Sequence, residues 1–564
     1  MKRRIGQLAN KEYDLVVIGG GIFGACAAWD AVLRGLSVAL IEKDDFCQAT
    51  SANHFKMIHG GMRYLQHLDL KRVRESCRER SILLKTAPHL ATPLPILMPT
   101  YGHGLKGKEI LRTGLLVYEL ITADRNKGIS DPERHIPKSS VLTKNEVLAE
   151  YPGLDAKGLT GAVVFYDGQI YNPPRLVLSY VRAAVIEGAD AANYLEAVDY
   201  IVDRKRIKGV VAHDRLSGNQ VEIRGKFVLN ACGPWAHRLN EKILRRRAVR
   251  PPTFSRDLVI VVPKQLSKKY AFAHIAKSHD TDAMFDRGGR HIFIIPWRNY
   301  SLIGVWHQVH DKKPEEITVN SRELQQFLDD INHVYDAVEL TLDDISFINT
   351  GLILFGTEED QGGKSDHSFG KRSMVIDHHE ENNIDGLITL IGVRATVARR
   401  DTKKVLDVII KRLNKTAKAS RTSSMPIFGG DFEKFDELVR QAEQRLRQAN
   451  GVGVMRTLIH NYGSAYMEVL KYGSEDPSLT KTIDGSSVIR AEVIHAVREE
   501  MAVTLQDVVF RRTDLGTGAD PGRTAITTSA DLMANELGWA RQKKEDEINE
   551  VVDILSRRGP WRFA

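Results

Sequence analysis

The sequence predicts an α/β protein, α+β overall, in which a parallel sheet covered by helices is joined to a mixed or antiparallel second sheet and to a helical C-terminal region. Three observations support this fold class. Apolar runs at 13–18 and 37–41 flank a Gly-rich turn and a helical stretch. Strand-like patterns recur between 157 and 306, and long, charged amphipathic stretches dominate beyond Ser424.

Length and composition are those of a folded chain with several domains. The 564 residues are enough for two or three domains, and 42% hydrophobic with 27% charged residues excludes disordered and collagen-like classes. The net charge is +8. Because the basic residues are dispersed and not interleaved with aromatic residues, we expect no nucleic-acid partner.

The cysteines and the N-terminal sequence indicate in which cellular compartment the protein is expected. The chain has four cysteines: Cys26, Cys47, Cys77 and Cys232. They are too few and too scattered for a disulfide framework or a zinc site, so we expect a reducing compartment and no metal. The N-terminal MKRRIGQLAN leads into charged residues, not into an apolar signal core, and the apolar run 15–29 is too short to span a membrane. These features predict a cytoplasmic protein.

The first elements form a β-α-β unit. Residues 13–18 are the first predicted strand, Ala25 to Arg34 the helix, and Ser37 to Ile41 the second strand. Strands that are apolar almost throughout are typical of a parallel sheet covered on both faces.

The remaining elements follow in order along the chain. Helices are predicted at 67–86, 107–123, 174–187, 431–449 and 488–511. Strands are predicted at 161–166, 194–202, 207–213, 226–230, 257–263, 291–297 and 301–306. Gly288-Gly289 and Arg298-Asn299 are predicted turns, and the basic stretch 411–421 is interpreted as a solvated linker.

The Gly-rich turn carries a dinucleotide motif. Gly19, Gly21 and Gly24 fit G-x-G-x-x-G directly after a strand and at the start of a helix. The first glycine permits the tight turn, the second lets the backbone approach a pyrophosphate, and the third lets helix and strand pack closely. Glu42, at the end of the second strand, would accept hydrogen bonds from a ribose and disfavour a 2′-phosphate. NAD and FAD remain alternatives, and the small and hydroxyl side chains of 45–51 favour FAD.

Several longer motifs follow one another along almost the whole chain. They are DLVVIGGGIFGA (14–25), ATSANHFKMIHGGMRYLQHLDL (49–70), APHLATPLP (87–95), RLVLSYVRAA (175–184), VLNACGPWA (228–236), FIIPW (293–297), NYGSAYMEVL (461–470) and AEVIHAVREEMAVTLQDVVFRRTDLG (491–516). In this order they resemble the FAD-dependent glycerol-3-phosphate dehydrogenase and oxidase family, within the D-amino-acid-oxidase-like flavoproteins.

The resemblance implies three domains and FAD as the cofactor. A Rossmann-like FAD-binding domain (mainly 12–80, 157–250 and 370–423) and an antiparallel or mixed-sheet substrate domain (mainly 81–156 and 251–369) would be interleaved within 1–423, and 424–564 would form a C-terminal helical domain. The residues that the resemblance assigns to FAD are Gly19, Gly21, Gly24, Glu42, Lys43, Thr50, Ser51, Asn53, Ala231, Gly233, Gly392 and Thr396.

The resemblance also implies the catalytic residues. Oxidation of a secondary alcohol by a flavin needs a base for the hydroxyl proton, and His59, beside two glycines, is the candidate. The alternative is a histidine that only packs against or orients the flavin. Arg63 and Tyr64 would hold the anionic group of the substrate, and Arg394 would support the substrate and the reduced flavin.

Three segments, with four residues between them, depart from the family pattern. Arg394 stands where the family has a lysine in G-G-K-L-T-T, and Ile353 stands where a substrate-binding arginine is expected. Trp306-His307 replaces part of G-T-T-D, for which a core Trp and a solvent-facing His are the favoured interpretation. Arg372 is a candidate replacement for the lost charge, with a solvated loop as the equal alternative.

The expected function is FAD-dependent oxidation of glycerol 3-phosphate, or of a close polyol phosphate, with quinone or oxygen as the electron acceptor. The alternatives are oxidation of a different hydroxy or amino compound and a non-catalytic nucleotide-binding interaction protein. Quinone-linked relatives lie on the inner membrane face, where residues 245–247 or 268–270 could touch anionic lipid. Relatives that use oxygen are soluble. The sequence leaves both this peripheral contact and a homodimer open.

Overall fold

A computed structural model describes residues 1–65, 69–102, 108–244, 252–275, 291–335, 338–355, 372–445 and 453–559. The strands, in chain order, are β1 (Glu12–Ile18), β2 (Val38–Ile41), β3 (Met57–Ile58), β4 (Ala91–Tyr101), β5 (Ser140–Thr143), β6 (Leu159–Ile170), β7 (Asp190–Ala192), β8 (Leu195–Asp203), β9 (Arg206–Asp214), β10 (Gln220–Asn230), β11 (Phe254–Val262), β12 (Ala271–Ile275), β13 (His291–Trp297), β14 (Tyr300–His310), β15 (Phe347–Leu354), β16 (Met374–Asp377) and β17 (Leu387–Ile391).

The α-helices occur throughout the described residues, and α12 to α18 belong to the C-terminal region. They are α1 (Ile5–Ala9), α2 (Ile22–Leu33), α3 (Met62–Leu65), α4 (Leu70–Thr86), α5 (Lys108–Ile121), α6 (Lys144–Glu150), α7 (Pro173–Ile186), α8 (Ala236–Leu244), α9 (Ser321–Val334), α10 (His378–Asn382), α11 (Ala398–Arg412), α12 (Phe435–Arg445), α13 (Val454–Tyr462), α14 (Tyr466–Leu470), α15 (Arg490–Glu499), α16 (Leu505–Asp507), α17 (Arg523–Leu537) and α18 (Arg541–Arg558).

Polar caps explain where several of these helices begin. Before α4, the Asp69 carboxylate accepts the backbone N–H of Arg72 at 3.1 Å. Before α7, the Asn172 side chain accepts the N–H of Arg175, and two prolines occupy the first turn, where no intrahelical N–H is needed.

The first sheet is largely parallel. Its order is β16-β17-β10-β1-β2-β7, and every pair from β17 to β7 is parallel, whereas β16 is antiparallel to β17. The chain runs from β1 to β2 on one side, while β10 lies on the other side of β1. This reversal leaves a crevice at the carboxyl end of β1, which is where open α/β sheets bind ligands.

Helices α2, α7 and α11 cover one face of this sheet. Trp29 of α2 and Tyr180 of α7 are both fully buried, and their ring centroids lie 5.4 Å apart in an edge-on arrangement. The other face packs against α8 and the antiparallel β8–β9 hairpin. Burial on both faces explains why β1 and β2 are apolar almost throughout.

The second sheet is mainly antiparallel. Its order is β15-β11-β14-β13-β12-β4-β6-β3, with β5 paired to β6; the exception is the parallel pair of β12 and β4. One side of its core includes α6 and α9, and the other side packs against the C-terminal helices. The predicted combination of a parallel sheet, a mixed sheet and a helical end is confirmed.

Two buried ionic clusters attach the C-terminal helices to the rest of the chain. Asp45, directly after β2, lies 2.6 Å from both the Arg511 and Arg512 guanidinium groups. Glu500 similarly lies 2.6 Å from Arg175 and 2.9 Å from Arg182 of α7. Burial alone would raise the pKa of Asp45, but the two arginines lower it to about 2.

Most predicted elements are confirmed to within a few residues, and one helix prediction is wrong. The stretch 488–511 is not continuous, because α15 ends at Glu499, Met501 has φ +57, and α16 continues into a π-helical turn at Val508–Arg512. Arg512 donates to the Glu500 carbonyl, so the buried ionic contacts override the helical pattern here. The predicted turn at Gly288-Gly289 lies outside the described residues.

Candidate active site

A cleft of about 720 Å³ opens at the carboxyl ends of β1 and β2 and is lined by residues from both sheets. Gly19 has φ +106, and a Cβ there would lie only 2.6 Å from the Ala231 carbonyl oxygen. At Gly24 a Cβ would overlap the Gly19 carbonyl oxygen, which is why helix and strand can approach so closely. Gly24 itself packs inside and does not line the cleft.

The start of α2 faces the cleft. Gly21 precedes the helix, and a Cβ there would meet the Ser51 hydroxyl at 3.0 Å. That hydroxyl accepts the backbone N–H of Ile22 at 3.1 Å. A helix N-terminus with glycine backbone at its mouth is suited to the diphosphate of a dinucleotide.

Glu42 lies at the end of β2, as predicted for a ribose-binding carboxylate. Its two oxygens accept the backbone N–H groups of Gly20 at 2.6 Å and of Asp44 at 3.1 Å. Burial raises the pKa of this carboxyl to about 7. Each oxygen has a second lone pair, so hydroxyl donors of a bound ribose can still be accommodated.

The loops after β2 and β10 supply other predicted residues. The Lys43 ammonium lies 4.7 Å from the Trp235 ring centroid and 2.9 Å from Asp44. Ala231 and Gly233 also line the cleft. Lys43, Ala231 and Gly233 therefore lie where the nucleotide half of a cofactor would extend.

The predicted positions Thr50 and Asn53 have mainly structural contacts. The Thr50 hydroxyl both donates to the Leu352 carbonyl and accepts the Leu352 N–H, each at 3.0 Å, which ties this loop to β15. Asn53 is buried and does not line the cleft; its amide donates to the Ala49 carbonyl and its oxygen accepts from Arg558. Asn53 shapes the loop, and its predicted contact with the cofactor has no support from these bonds.

A second glycine loop, after β17, closes the cleft beside His59. At Gly392 a Cβ would overlap the Phe23 ring of α2, so the two loops touch. The turn Ala395–Val397 leads into α11, and the Thr396 hydroxyl accepts the backbone N–H of His59 at 3.2 Å. The structure therefore brings His59 next to the loop of Gly392 and Thr396, two of the residues that the resemblance assigns to FAD.

His59 is paired with a carboxylate that the sequence analysis missed. Its Nδ1 lies 3.5 Å from Asp167 of β6, and the imidazole is 46% exposed whereas the carboxylate is 6% exposed. Asp167 also accepts the Gly60 N–H at 2.6 Å and lies 3.5 Å from the buried Arg80. The available signal was a carboxylate that directly follows the mainly apolar run 162–166 of this strand.

Tyr64 and Arg394, which were assigned to the substrate separately, lie against each other in the structure. The Arg394 guanidinium carbon lies 5.0 Å from the Tyr64 ring centroid, and the guanidinium donates weakly to the Ser76 hydroxyl at 3.5 Å. Both residues line the cleft. Arg63 belongs to α3, but its side chain lies outside the described part of the structure.

The wall formed by β11, β14 and β15 differs from expectation. Ile353 lines the cleft, and His307 does so as well, so the interpretation of His307 as solvent-facing is wrong. Its Nδ1 lies 2.6 Å from Asp257, its register partner across β11 and β14. Trp306 packs 5.3 Å from the Phe327 ring, as predicted for a core residue. Arg372 is exposed and is not part of the lining.

Apolar side chains complete the cleft near His59. They are Phe55, Met57, Ile96, Met98, Phe165, Phe293 and Val305. His54 lies among them with its Nδ1 accepting the Lys56 N–H at 2.9 Å, and burial lowers its pKa to about 3. These apolar side chains offer water few hydrogen-bond partners on this side of the cleft, and a site with little water suits hydrogen transfer from carbon.

The fold and the cleft define a class of protein. Three features fit an extended dinucleotide whose reactive end reaches the second sheet. They are the glycine cradle (Gly19, Gly21 and Gly24) at the start of α2, the Glu42 carboxylate at the end of β2, and the second glycine loop beside His59. Such an arrangement is that of a dinucleotide-dependent oxidoreductase.

Comparisons with known proteins give the family. Residues 14–384 match the family model described as FAD dependent oxidoreductase, and residues 420–544 match the C-terminal domain of alpha-glycerophosphate oxidase. Because the first match covers more than half of the chain, the protein belongs to the FAD-dependent oxidoreductase family, and its cofactor is FAD.

Individual relatives extend over nearly the full length. The chain is 29% identical to a glycerol-3-phosphate dehydrogenase from Synechocystis sp., over 98% of both chains. It is 30% identical to a probable mitochondrial glycerol-3-phosphate dehydrogenase from Dictyostelium discoideum, covering 98% of this chain and 86% of that one. A crystal structure of the glycerol-3-phosphate dehydrogenase from Bacillus halodurans complexed with FAD has a TM-score of 0.76 at 26% identity, over 98% of this chain and 96% of the other.

Neither a membrane-spanning helix nor a metal-binding group of side chains is found among the described residues. In the described ranges no helix combines the length and apolarity that a membrane span requires. In the same part of the chain, no group of three or more His, Cys, Asp or Glu side chains is arranged to hold a metal ion.

Proposed function

We propose that the protein oxidises the secondary alcohol of glycerol 3-phosphate, or of a close polyol phosphate, to the ketone, which for glycerol 3-phosphate is dihydroxyacetone phosphate. The observation that carries this proposal is the meeting of two pairs in one cleft: His59 with Asp167, and Tyr64 with Arg394. One pair can take a proton and the other can hold an anion. Relatives named glycerol-3-phosphate dehydrogenase support the choice of substrate.

His59 accepts the hydroxyl proton in this proposal. With Nδ1–H directed at the Asp167 carboxylate, the other ring nitrogen is the acceptor, and the carboxylate stabilises the imidazolium that forms. Loss of that proton raises electron density on the carbinol carbon and weakens its C–H bond. The chemistry that bound FAD supplies is acceptance of two electrons and the hydrogen from this carbon.

Arg394 and Tyr64, together with Arg63, hold the phosphate in this proposal. Arg394 presents a planar fork of donors, and its contact with the Tyr64 ring and with Ser76 fixes the direction of that fork. Anchoring the phosphate there sets the distance from the anion to His59, so that the carbinol adjacent to the phosphate-bearing carbon is the one that reacts.

We further propose that electrons pass to quinone or to oxygen, with peripheral contact to an anionic membrane in the first case. Helix α5 supports the contact, since Leu116 is 60% exposed and Leu120 78% exposed. The Arg74 guanidinium, which is paired with Asp124, donates to the Ile121 carbonyl at the end of this helix. Of the sequence candidates, Lys268 and Lys269 are exposed, and 245–247 lie outside the described residues.

A second candidate function is favoured by the β11–β14–β15 wall. Ile353 provides no charge for a phosphate, and Asp257 adds a carboxylate beside it. A carboxylate repels a dianionic group and accepts hydrogen bonds from hydroxyl or ammonium donors. These features favour a hydroxy or amino compound without phosphate at this wall.

Anaerobic mixing of the FAD-loaded protein with glycerol 3-phosphate tests the first proposal against the second. Bleaching of the visible flavin band by glycerol 3-phosphate, and not by glycerol, is the expected result. No bleaching by glycerol 3-phosphate together with bleaching by a non-phosphorylated hydroxy or amino compound would select the second candidate. Oxidised flavin with every compound of such a panel would reject both and leave a binding protein.

A further inference from the structure

A smaller cavity of about 230 Å³ lies against α4, outside the active-site cleft. It is open to solvent on one side and is bordered by α4, by the segment 124–127 that follows α5, and by Ser423 in the linker to the C-terminal helices. Its volume is below the usual range for nucleotides and drug-sized ligands, but it is sufficient for a single tetrahedral anion.

The cavity is strongly basic. Five cationic side chains line it, against one carboxylate, Asp124: Arg74, Arg78, Lys85, Arg125 and Lys127. Two of the five are already neutralised. Arg74 donates to Asp124 at 2.6 Å, and Arg125 lies 2.8 Å from Glu119.

The other three cations are not held in a direct ion pair, although Lys127 acts on Asp124 and Arg78 on Glu79 over a longer distance. Among the described residues, the side chains of Arg78, Lys85 and Lys127 make no hydrogen bond and no ion pair. Like charges around one cavity repel each other, and a bound anion relieves this repulsion. Two lysine ammonium groups and a guanidinium also provide more donors than one phosphate group can use.

We propose that this cavity is a second anion site, which binds a phosphate group through Arg78, Lys85 and Lys127. The proposal goes beyond the oxidation reaction, because these side chains are not part of the cleft. The phosphate belongs either to a small phosphorylated compound or to an anionic lipid headgroup. The exposed leucines of α5 make the second source testable, since Arg74 connects the cavity to the end of that helix.

The site is coupled to the active site through α4. Cys77 lines the cavity, and its thiol donates to the Gly60 carbonyl at 2.8 Å, next to His59. On the same helix, Ser76 accepts from Arg394 and Arg80 lies beside Asp167. A phosphate that draws Arg78 and Lys85 together acts on the helix that positions both catalytic pairs.

Calorimetric titration of the FAD-loaded protein with inorganic phosphate, at ionic strength held constant with chloride, tests the site. The variant is Arg78→Gln with Lys85→Gln and Lys127→Gln, and the matched control replaces three exposed cations elsewhere: Arg204→Gln, Lys205→Gln and Lys312→Gln. We expect the wild type and the control to bind one more phosphate per chain than the first variant, because phosphate held in the cleft remains in all three proteins. Equal binding in all three proteins would overturn the proposal, because phosphate would then bind elsewhere, for example in the cleft.

Vesicles distinguish the two sources of phosphate. Sedimentation of the wild type and control, but not of the triple variant, with phosphatidylglycerol vesicles and not with phosphatidylcholine vesicles identifies a lipid headgroup. Phosphate binding by calorimetry without sedimentation identifies a small phosphorylated compound. Flavin content and melting temperature of the triple variant should equal those of the wild type, since no ion pair is removed.

Turnover at saturating substrate tests the coupling. Added phosphate should change kcat in the wild type and control and leave kcat of the triple variant unchanged. An identical response of kcat in all three proteins would contradict coupling through α4, whatever the binding result.

Discussion

The nucleotide end and the substrate end of the cleft differ in what determines their shape: backbone at the first and side chains at the second. At the nucleotide end the main determinants are backbone: Gly19 at positive φ, a close approach at Gly24 and the first N–H groups of α2. At the substrate end the determinants are side chains on strands far apart in sequence, such as Asp167 on β6 and Asp257 on β11. A backbone with positive φ or a very close approach tolerates few residues other than glycine. A side chain on a sheet, in contrast, can be substituted without changing its neighbours.

This difference explains why the cofactor is better determined than the substrate. A substitution at the glycine cradle removes the site, while a substitution such as Ile at 353 only removes one ligand for one group of the substrate. The same FAD chemistry can therefore be offered to different compounds on the same fold.

Loss of the cofactor itself, and with it of every redox activity, is expected at the nucleotide end. Gly24→Val places a side chain into the Gly19 carbonyl, so the purified protein should contain at most a tenth of the wild-type FAD, measured as flavin absorbance per protein. Gly6→Ala is the control, because nothing lies within 4 Å of its Cβ. Normal flavin content in Gly24→Val would refute the idea that backbone approach defines this end.

At the junction of the two ends, His59→Asn should lower kcat by about 10²–10⁴-fold with FAD still bound, as expected for loss of a general base. Asp167→Asn should give a smaller loss, since it orients the base and does not touch the substrate in the proposed reaction. Stopped-flow flavin reduction is the measurement. Rapid reduction in His59→Asn would show that another group takes the proton.

A smaller effect is expected for the anion ligand. Arg394→Met should raise KM for glycerol 3-phosphate by roughly 10–100-fold, the equivalent of one charge-assisted hydrogen bond. Arg394→Lys should recover part of it, because charge returns without the planar fork. Steady-state kinetics with both variants would contradict the assignment if kcat fell and KM did not change.

The smallest effect is expected at the β11–β14–β15 wall. Ile353→Arg should lower KM for the phosphorylated substrate by a few-fold by restoring a cation, and Ile353→Met is the neutral control. His307→Asn should alter KM by a similar factor. If either change instead abolished turnover of every substrate, this wall would belong to the catalytic machinery, and the contrast between the two ends would fail.

Local patterns carried most of the predictable information. The glycine motif, the alternation of strands and the caps are consequences of short-range sequence, and the β1–α2–β2 unit is found at the predicted place. Asp167, Asp257 and His54 were missed because their roles depend on which strands become neighbours in the second sheet. The broken helix after Glu499 was missed for the same reason, since its cause is a set of buried charges on other elements.

The salt bridges from Asp45 to Arg511 and Arg512 can form only late in the synthesis of the chain. The partners are separated by 466 and 467 residues, so nearly the whole chain must leave the ribosome before the carboxylate next to the nucleotide loop is neutralised. At roughly 5–20 residues per second this interval lasts about 25 to 95 seconds. During that time Asp45 has neither arginine partner, so the contacts that hold the loop after β2 to the C-terminal helices form only once residues 511 and 512 are translated.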